Sequence, residues 1–212
     1  MKLNTTKTKR LGCVGYAGRR VLWGWVLMVT VVSSSLAATA TLTVTAPVQD
    51  PTCDISIPQA GGAGGGPGTP LMLGRFMADD FSMHGGTAAT AAFQIKVDGC
   101  SGLTSATPAL KVSGGTLSGN AHVFNADPNG ATGYMIRAEK FTGALSQFYS
   151  TTALTVVENG KDSYDGSASL VKDGVLDYTV GFVAPELASG GTGLAPGDGD
   201  VNASVTFEFH YH

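Results

Sequence analysis

The final twelve residues, Val201 to His212, alternate in polarity almost without fault. Val201, Ala203, Val205, Phe207, Phe209 and Tyr211 fall on one side. Asn202, Ser204, Thr206, Glu208, His210 and His212 fall on the other. A period of two describes a strand with one buried and one wet face. At ~3.3 Å per residue it would run about 40 Å, against a usual strand of five or six residues. No later segment follows to cover it, and an uncovered edge of that length invites pairing with another chain. The sequence therefore predicts a terminal strand completed by something else.

The same alternation begins early. Ala40, Leu42, Val44, Ala46 and Val48 are apolar, with Thr41, Thr43 and Thr45 between them. Cys53 to Ile57 continues as strand. Ala91 to Cys100 alternates with Phe93, Ile95 and Val97 inward. Further strands are expected at Leu71–Gly74, Ala109–Ser113, His122–Asn125, Gly133–Arg137, Leu154–Glu158 and Val175–Val183. Asp79-Asp80 and His84-Gly85-Gly86 mark a turn-rich stretch, and Ala138 to Ser150 reads as a short helix or a loop. Asp127-Pro128-Asn129-Gly130 and Asn159-Gly160-Lys161-Asp162 are turn signals, and the runs at Gly61–Thr69 and Ser189–Gly193 read as flexible loops. Many short strands with turns between them indicate an all-β Greek-key sandwich.

The first thirty-seven residues read as a removed leader. Lys2, Lys7, Lys9, Arg10, Arg19 and Arg20 form a basic lead, and Val21 to Val32 is an apolar core too short to span a membrane. Ser35 and Ala37 supply the small residues a signal peptidase needs; cleavage is expected after Ala37, with Ala40 as the other choice. About 175 residues remain, enough for one β-domain, residues 49–212, preceded by a short segment, 38–48. The whole chain carries a formal charge of −3 and has no basic patch with interleaved aromatics, which argues against nucleic acid. Of three cysteines, Cys53 and Cys100 survive processing, and an isolated pair in an exported chain reads as a disulfide.

Catalytic and metal motifs fail on spacing. His84, His122, His210 and His212 pair with no cysteine or carboxylate at a ligand spacing. Asp198-Gly199-Asp200 lacks the oxygen ligands of a calcium loop. Ser169-Leu170-Val171-Lys172 matches Ser-x-x-Lys but lacks its partner motifs. The glycine-rich run at Gly61 has no Lys-Ser/Thr ending to hold a phosphate. Too few histidines are present for the metal centres of a superoxide dismutase.

Taken together, the leader, the alternating segment before Cys53, Phe93-x-Ile95-x-Val97-x-Gly99-Cys100, Asp177 to Phe182, and Gly199 followed by alternation to a penultimate Tyr211 resemble a chaperone–usher pilin. The likeness is to type 1 fimbrial structural subunits. It implies an immunoglobulin-like sandwich lacking its last strand, with a groove beside the C-terminal strand. It also implies a non-enzymatic subunit without cofactor or metal, exported through the periplasm to a surface fimbrium that supports adhesion. The implied partners are a periplasmic chaperone, an outer-membrane usher as the sole membrane contact, and other pilin subunits. Gly199, Val201, Ala203, Val205, Phe207, Phe209 and Tyr211 match the recognition strand. Ala40, Leu42 and Val44 match the donor strand, and Cys53 with Cys100 the family disulfide. The family usually has a glycine midway in the donor segment; Ala40 is the nearest match here. The alternatives are a minor adaptor, a tip-associated adhesin, or a secreted carbohydrate-binding β-sandwich.

Overall fold

Two sheets face each other across a shared apolar layer in the computed structural model, which describes residues 38–45, 54–57, 70–98, 107–165, 174–190, 196 and 199–211. The leader, Cys53, Cys100, Gly61–Thr69, Ser169–Lys172, Asp198 and His212 lie outside the described residues, so the expected cleavage site and disulfide do too.

The strands are β1 (Ala38–Thr45), β2 (Asp54–Ser56), β3 (Pro70–Phe76), β4 (Thr87–Asp98), β5 (Pro108–Gly114), β6 (Thr116–Leu117), β7 (Asn120–Phe124), β8 (Gly133–Arg137), β9 (Asp162–Asp165), β10 (Gly174–Val183) and β11 (Val201–Tyr211). One sheet has the order β3-β1-β11-β5-β9, the other β2-β4-β10-β8-β7-β6. Alternation sets the faces as expected. On β4, Phe93, Ile95 and Val97 are buried while Gln94 and Lys96 are exposed. On β11, Ala203, Val205, Phe207 and Phe209 are buried. The sandwich is all-β in its core, with two short helices at its rim.

Three expectations need correction. The turn-rich stretch contains a helix, α1 (Ala78–Met83), whose start is closed by Met77 N–H donating to Asp80 Oδ2 at 2.7 Å. Its one buried residue, Phe81, lies edge-on to Phe182 at 5.1 Å, so a single aromatic anchor holds a segment otherwise rich in turn formers. Leu154–Glu158 is not a strand. It contributes one bridge, Val156 to Arg137, beyond the point where β7 leaves β8, and Leu154 points fully into solvent. Asp162, expected in a turn, begins β9; the turn proper is Asn159-Gly160, where Gly160 takes φ +79. The expected flexible loop at Ser189 is preceded by a second helical turn, α2 (Pro185–Ala188), which starts on a proline.

Candidate strand-exchange groove

The last strand was expected to await a strand from another chain; instead the chain's own β1 lies along it and occupies that place. This strand lies between β11 and β3, parallel to the first and antiparallel to the second. Its register on β11 runs from Ala40 opposite Val201 to Thr45 opposite Thr206. Ala40, Leu42 and Val44 point inward and are 0%, 0% and 3% exposed. They join Ala203, Val205 and Phe207 in the core. The two sets of residues singled out in the sequence are thus neighbouring strands of one sheet, joined within one molecule.

Below this strand pair the core is aromatic. Phe207 meets Tyr178 edge-on at 5.1 Å and Phe93 at 6.1 Å, while Phe93 stacks on Tyr178 at 5.2 Å. The Tyr178 hydroxyl reaches Ser163 Oγ at 2.7 Å, which satisfies a polar tip that burial would otherwise leave unpaired. Burial holds the Tyr178 phenol well above its usual pKa, against the opposing pull of the Ser163 bond. Burial also raises the Tyr134 phenol, whose hydroxyl donates to the Val201 carbonyl at 2.9 Å and pins the start of β11. Tyr164 is raised first by burial and then by the charges of Asp177 and Glu139.

Polar contacts fix both ends of β1. Near its start, Thr39 N–H donates to Asp200 Oδ1 at 3.3 Å. At its end, the Thr45 and Thr206 hydroxyls lie 3.0 Å apart, and Thr45 Oγ1 also donates to the Val205 carbonyl at 3.4 Å. The outer edge departs from regular pairing between Ala40 and Thr41, opposite Gly74, whose φ of +114 suits a residue without a Cβ. Gly199, immediately before Asp200, takes φ +146 as the chain turns into β11.

β11 changes partners along its length. Val201–Thr206 pairs with β1, and Val205–Tyr211 pairs with β5. Phe209 and Tyr211, at the β5 end, meet edge-on at 4.9 Å. Sequence reasoning missed Asp200, Tyr134 and Gly74 in this site. Asp200 and Gly74 become visible only through register, and Tyr134 only once the sheets are packed.

The histidines are dispersed. His84 Nδ1 is 2.9 Å from the Asp80 carbonyl, His122 Nδ1 is 3.4 Å from that of Val157, and His210 Nε2 is 2.9 Å from Asp162 Oδ1. Among the described residues no three His, Cys, Asp or Glu side chains are grouped to hold a metal.

No protein-family model and no curated protein matches the sequence. Solved structures do. The P pilus rod subunit PapA aligns at 18% identity with a TM-score of 0.50, over 76% of this chain and all of that one. A chaperone–usher pilus structure concerned with rod uncoiling aligns at 18% identity and a TM-score of 0.50, over 99% of this chain and all of that one. A type I fimbria protein and antigen of Burkholderia pseudomallei aligns at 22% identity over 70% of this chain and 86% of that one, with a TM-score of 0.36. With its two packed sheets, the chain has the immunoglobulin-like fold of chaperone–usher pilus subunits.

Proposed function

We propose that this chain is a structural subunit of a surface pilus, assembled by exchanging the strand that fills its groove. The observation that carries this reading is β1 itself. It is the first strand of the sandwich, reaches the rest through residues 46–53, and buries Ala40, Leu42 and Val44 between β3 and β11. Its inward side chains are small or of medium size, so an equivalent strand from another chain could take the same place between β3 and β11. Backbone hydrogen bonds supply affinity in such strand addition, and alternate side chains supply fit.

In this reading the strand occupying the groove changes with stage. The chain's own arm fills it in the isolated subunit, a periplasmic chaperone's strand fills it during export, and the arm of the next subunit fills it in the fibre. An outer-membrane usher would be the place of the last exchange. The subunit itself has a mechanical and not a catalytic role, and Cys53 with Cys100 would staple β2 to the end of β4.

The test is a subunit lacking residues 38–46, co-produced with a chaperone and wild-type subunits. It should be recovered in the chaperone complex and should cap fibres instead of extending them in electron micrographs. Fibres built from the deleted subunit alone would overturn the reading. Val205→Asp, which places a charge at a wholly buried groove position, should abolish the chaperone complex.

A further inference from the structure

Leader removal after Ala37 would expose Ala38 as the new amino terminus. One residue later, Thr39 N–H donates to Asp200 Oδ1 at 3.3 Å. The Ala38 nitrogen is one residue before that donor, and with consecutive α-carbons ~3.8 Å apart it lies within roughly 7 Å of Asp200 Oδ1. In the precursor this nitrogen is a neutral amide. After cleavage it is an ammonium with an ordinary pKa near 7.7–8.0. An opposite charge within ~4–6 Å stabilises the charged form.

We propose that leader removal creates an ammonium at Ala38 that pairs with the Asp200 carboxylate and latches the arm into the groove. The proposal rests on the leader and its cleavage after Ala37, and it is independent of strand donation between subunits. The alternative cleavage, after Ala40, would remove the Thr39 bond to Asp200. It would also remove Ala40, which is wholly buried opposite Val201. A chain beginning at Ala38 keeps both contacts and adds a charge where the carboxylate already waits.

The other charged groups at this corner set the size of the effect. Asp127 lines the same surface depression as Asp200 and adds a second negative charge, although its Oδ1 already accepts from Asn129 N–H at 2.9 Å. Arg75 on β3 lies opposite Thr39, is exposed, and competes as a cation for Asp200. Asp200 is exposed as well, so the pairing is screened and weakens with salt. Because the amine's folded pKa is raised, its contribution is complete below the unfolded value near 8 and is lost as pH rises through the folded value.

The experiment uses protein exported as the full-length precursor and purified after processing. Its α-amine is labelled with trace acetic anhydride between about pH 6 and about pH 10, and the amino-terminal peptide is quantified by mass spectrometry. The peptide should begin at Ala38. Near pH 8 at low salt its amine should react roughly two- to five-fold more slowly than in Asp200→Asn, the range expected of a surface ion pair. In the native protein, about 1 M salt should remove that difference, because the screening length falls to ~3 Å. An amino terminus elsewhere, or equal reactivity in native and Asp200→Asn protein at low salt, overturns the proposal. Fibre formation is not read in this assay, so its outcome is separate from that of the pilus reading.

Discussion

The pairing of β1 with β11 and the pairing of β4 with β10 both bury apolar side chains, but they are built differently. β4 and β10 are antiparallel over ten pairs, from Gly174 opposite Val97 to Val183 opposite Thr87. They contribute Phe93, Tyr178 and Phe182 to the core. β1 is parallel to β11 over six pairs and contributes Ala40, Leu42 and Val44. Parallel pairing is slightly less stable per residue, and an alanine adds little buried area. Leu and Val at ~1.5–3 kcal/mol each make the arm worth on the order of 5 kcal/mol before its ordering entropy. The aromatic pair of strands carries the larger share of the core, and the arm the smaller.

The comparison predicts unequal costs of truncation. Phe207→Ala removes a ring that touches both Phe93 and Tyr178 and should cost about 3–5 kcal/mol in urea unfolding. Leu42→Ala, at a position equally buried but on the arm, should cost about 2–3 kcal/mol, because a terminal strand can shift into the space left behind. Hydrogen exchange should follow the same order, with Leu42 and Val44 amides opening before those of β4 and β10. If Leu42→Ala costs as much as Phe207→Ala, or if the arm exchanges with the core, the arm is not a separable part.

Much of the frame was legible because period-two alternation is a local signal. Ala203 to Phe209, Phe93 to Val97 and Ala40 to Val44 all present the faces their spacing predicts. What fills the groove was not legible. Alternation says that a strand has a buried face, but it does not say which strand will lie beside it or in which direction. The last strand was expected to await another chain, yet β1 lies along it with Ala40 opposite Val201. The helix α1 was missed because six residues give no 3.6-residue periodicity to read, and its anchor is one tertiary contact of Phe81. Leu154–Glu158 misled for the opposite reason, since a strand-like composition forms a strand only where a sheet edge accepts it.

The buried tyrosines carry a pH dependence at higher pH than the amino-terminal latch. Burial raises Tyr134, Tyr164 and Tyr178 above the ordinary tyrosine value near 10. In the folded protein these phenols stay protonated where those of the unfolded chain have ionised. Their contribution is therefore complete below about pH 10 and is lost as pH rises beyond it. With the latch removed by Asp200→Asn, urea midpoints should be flat through neutral and mildly alkaline pH and fall above about pH 10, and Tyr178→Phe should flatten that fall while losing the Ser163 bond. An unchanged alkaline slope in Tyr178→Phe would place the sensitivity in Tyr134 and Tyr164.

The smallest predicted effect bears most directly on how the arm is held. Thr45→Val keeps the shape and the strand preference of the residue but removes its hydroxyl contact with Thr206 at 3.0 Å. Paired threonine hydroxyls across two strands contribute ~0.2–1 kcal/mol, so the loss should be about 0.5 kcal/mol. Thr43→Val is the matched control, because the Thr43 hydroxyl makes no hydrogen bond among the described residues and lies on the same outward face opposite Ser204. The difference between the two variants in urea midpoint isolates the hydroxyl pair from changes in hydration and side-chain entropy. A Thr45→Val cost well above 1 kcal/mol would mean that a polar latch, and not the burial of Leu42 and Val44, keeps the arm in its groove. A fibre built by exchange would then have to break that latch before the arm could leave.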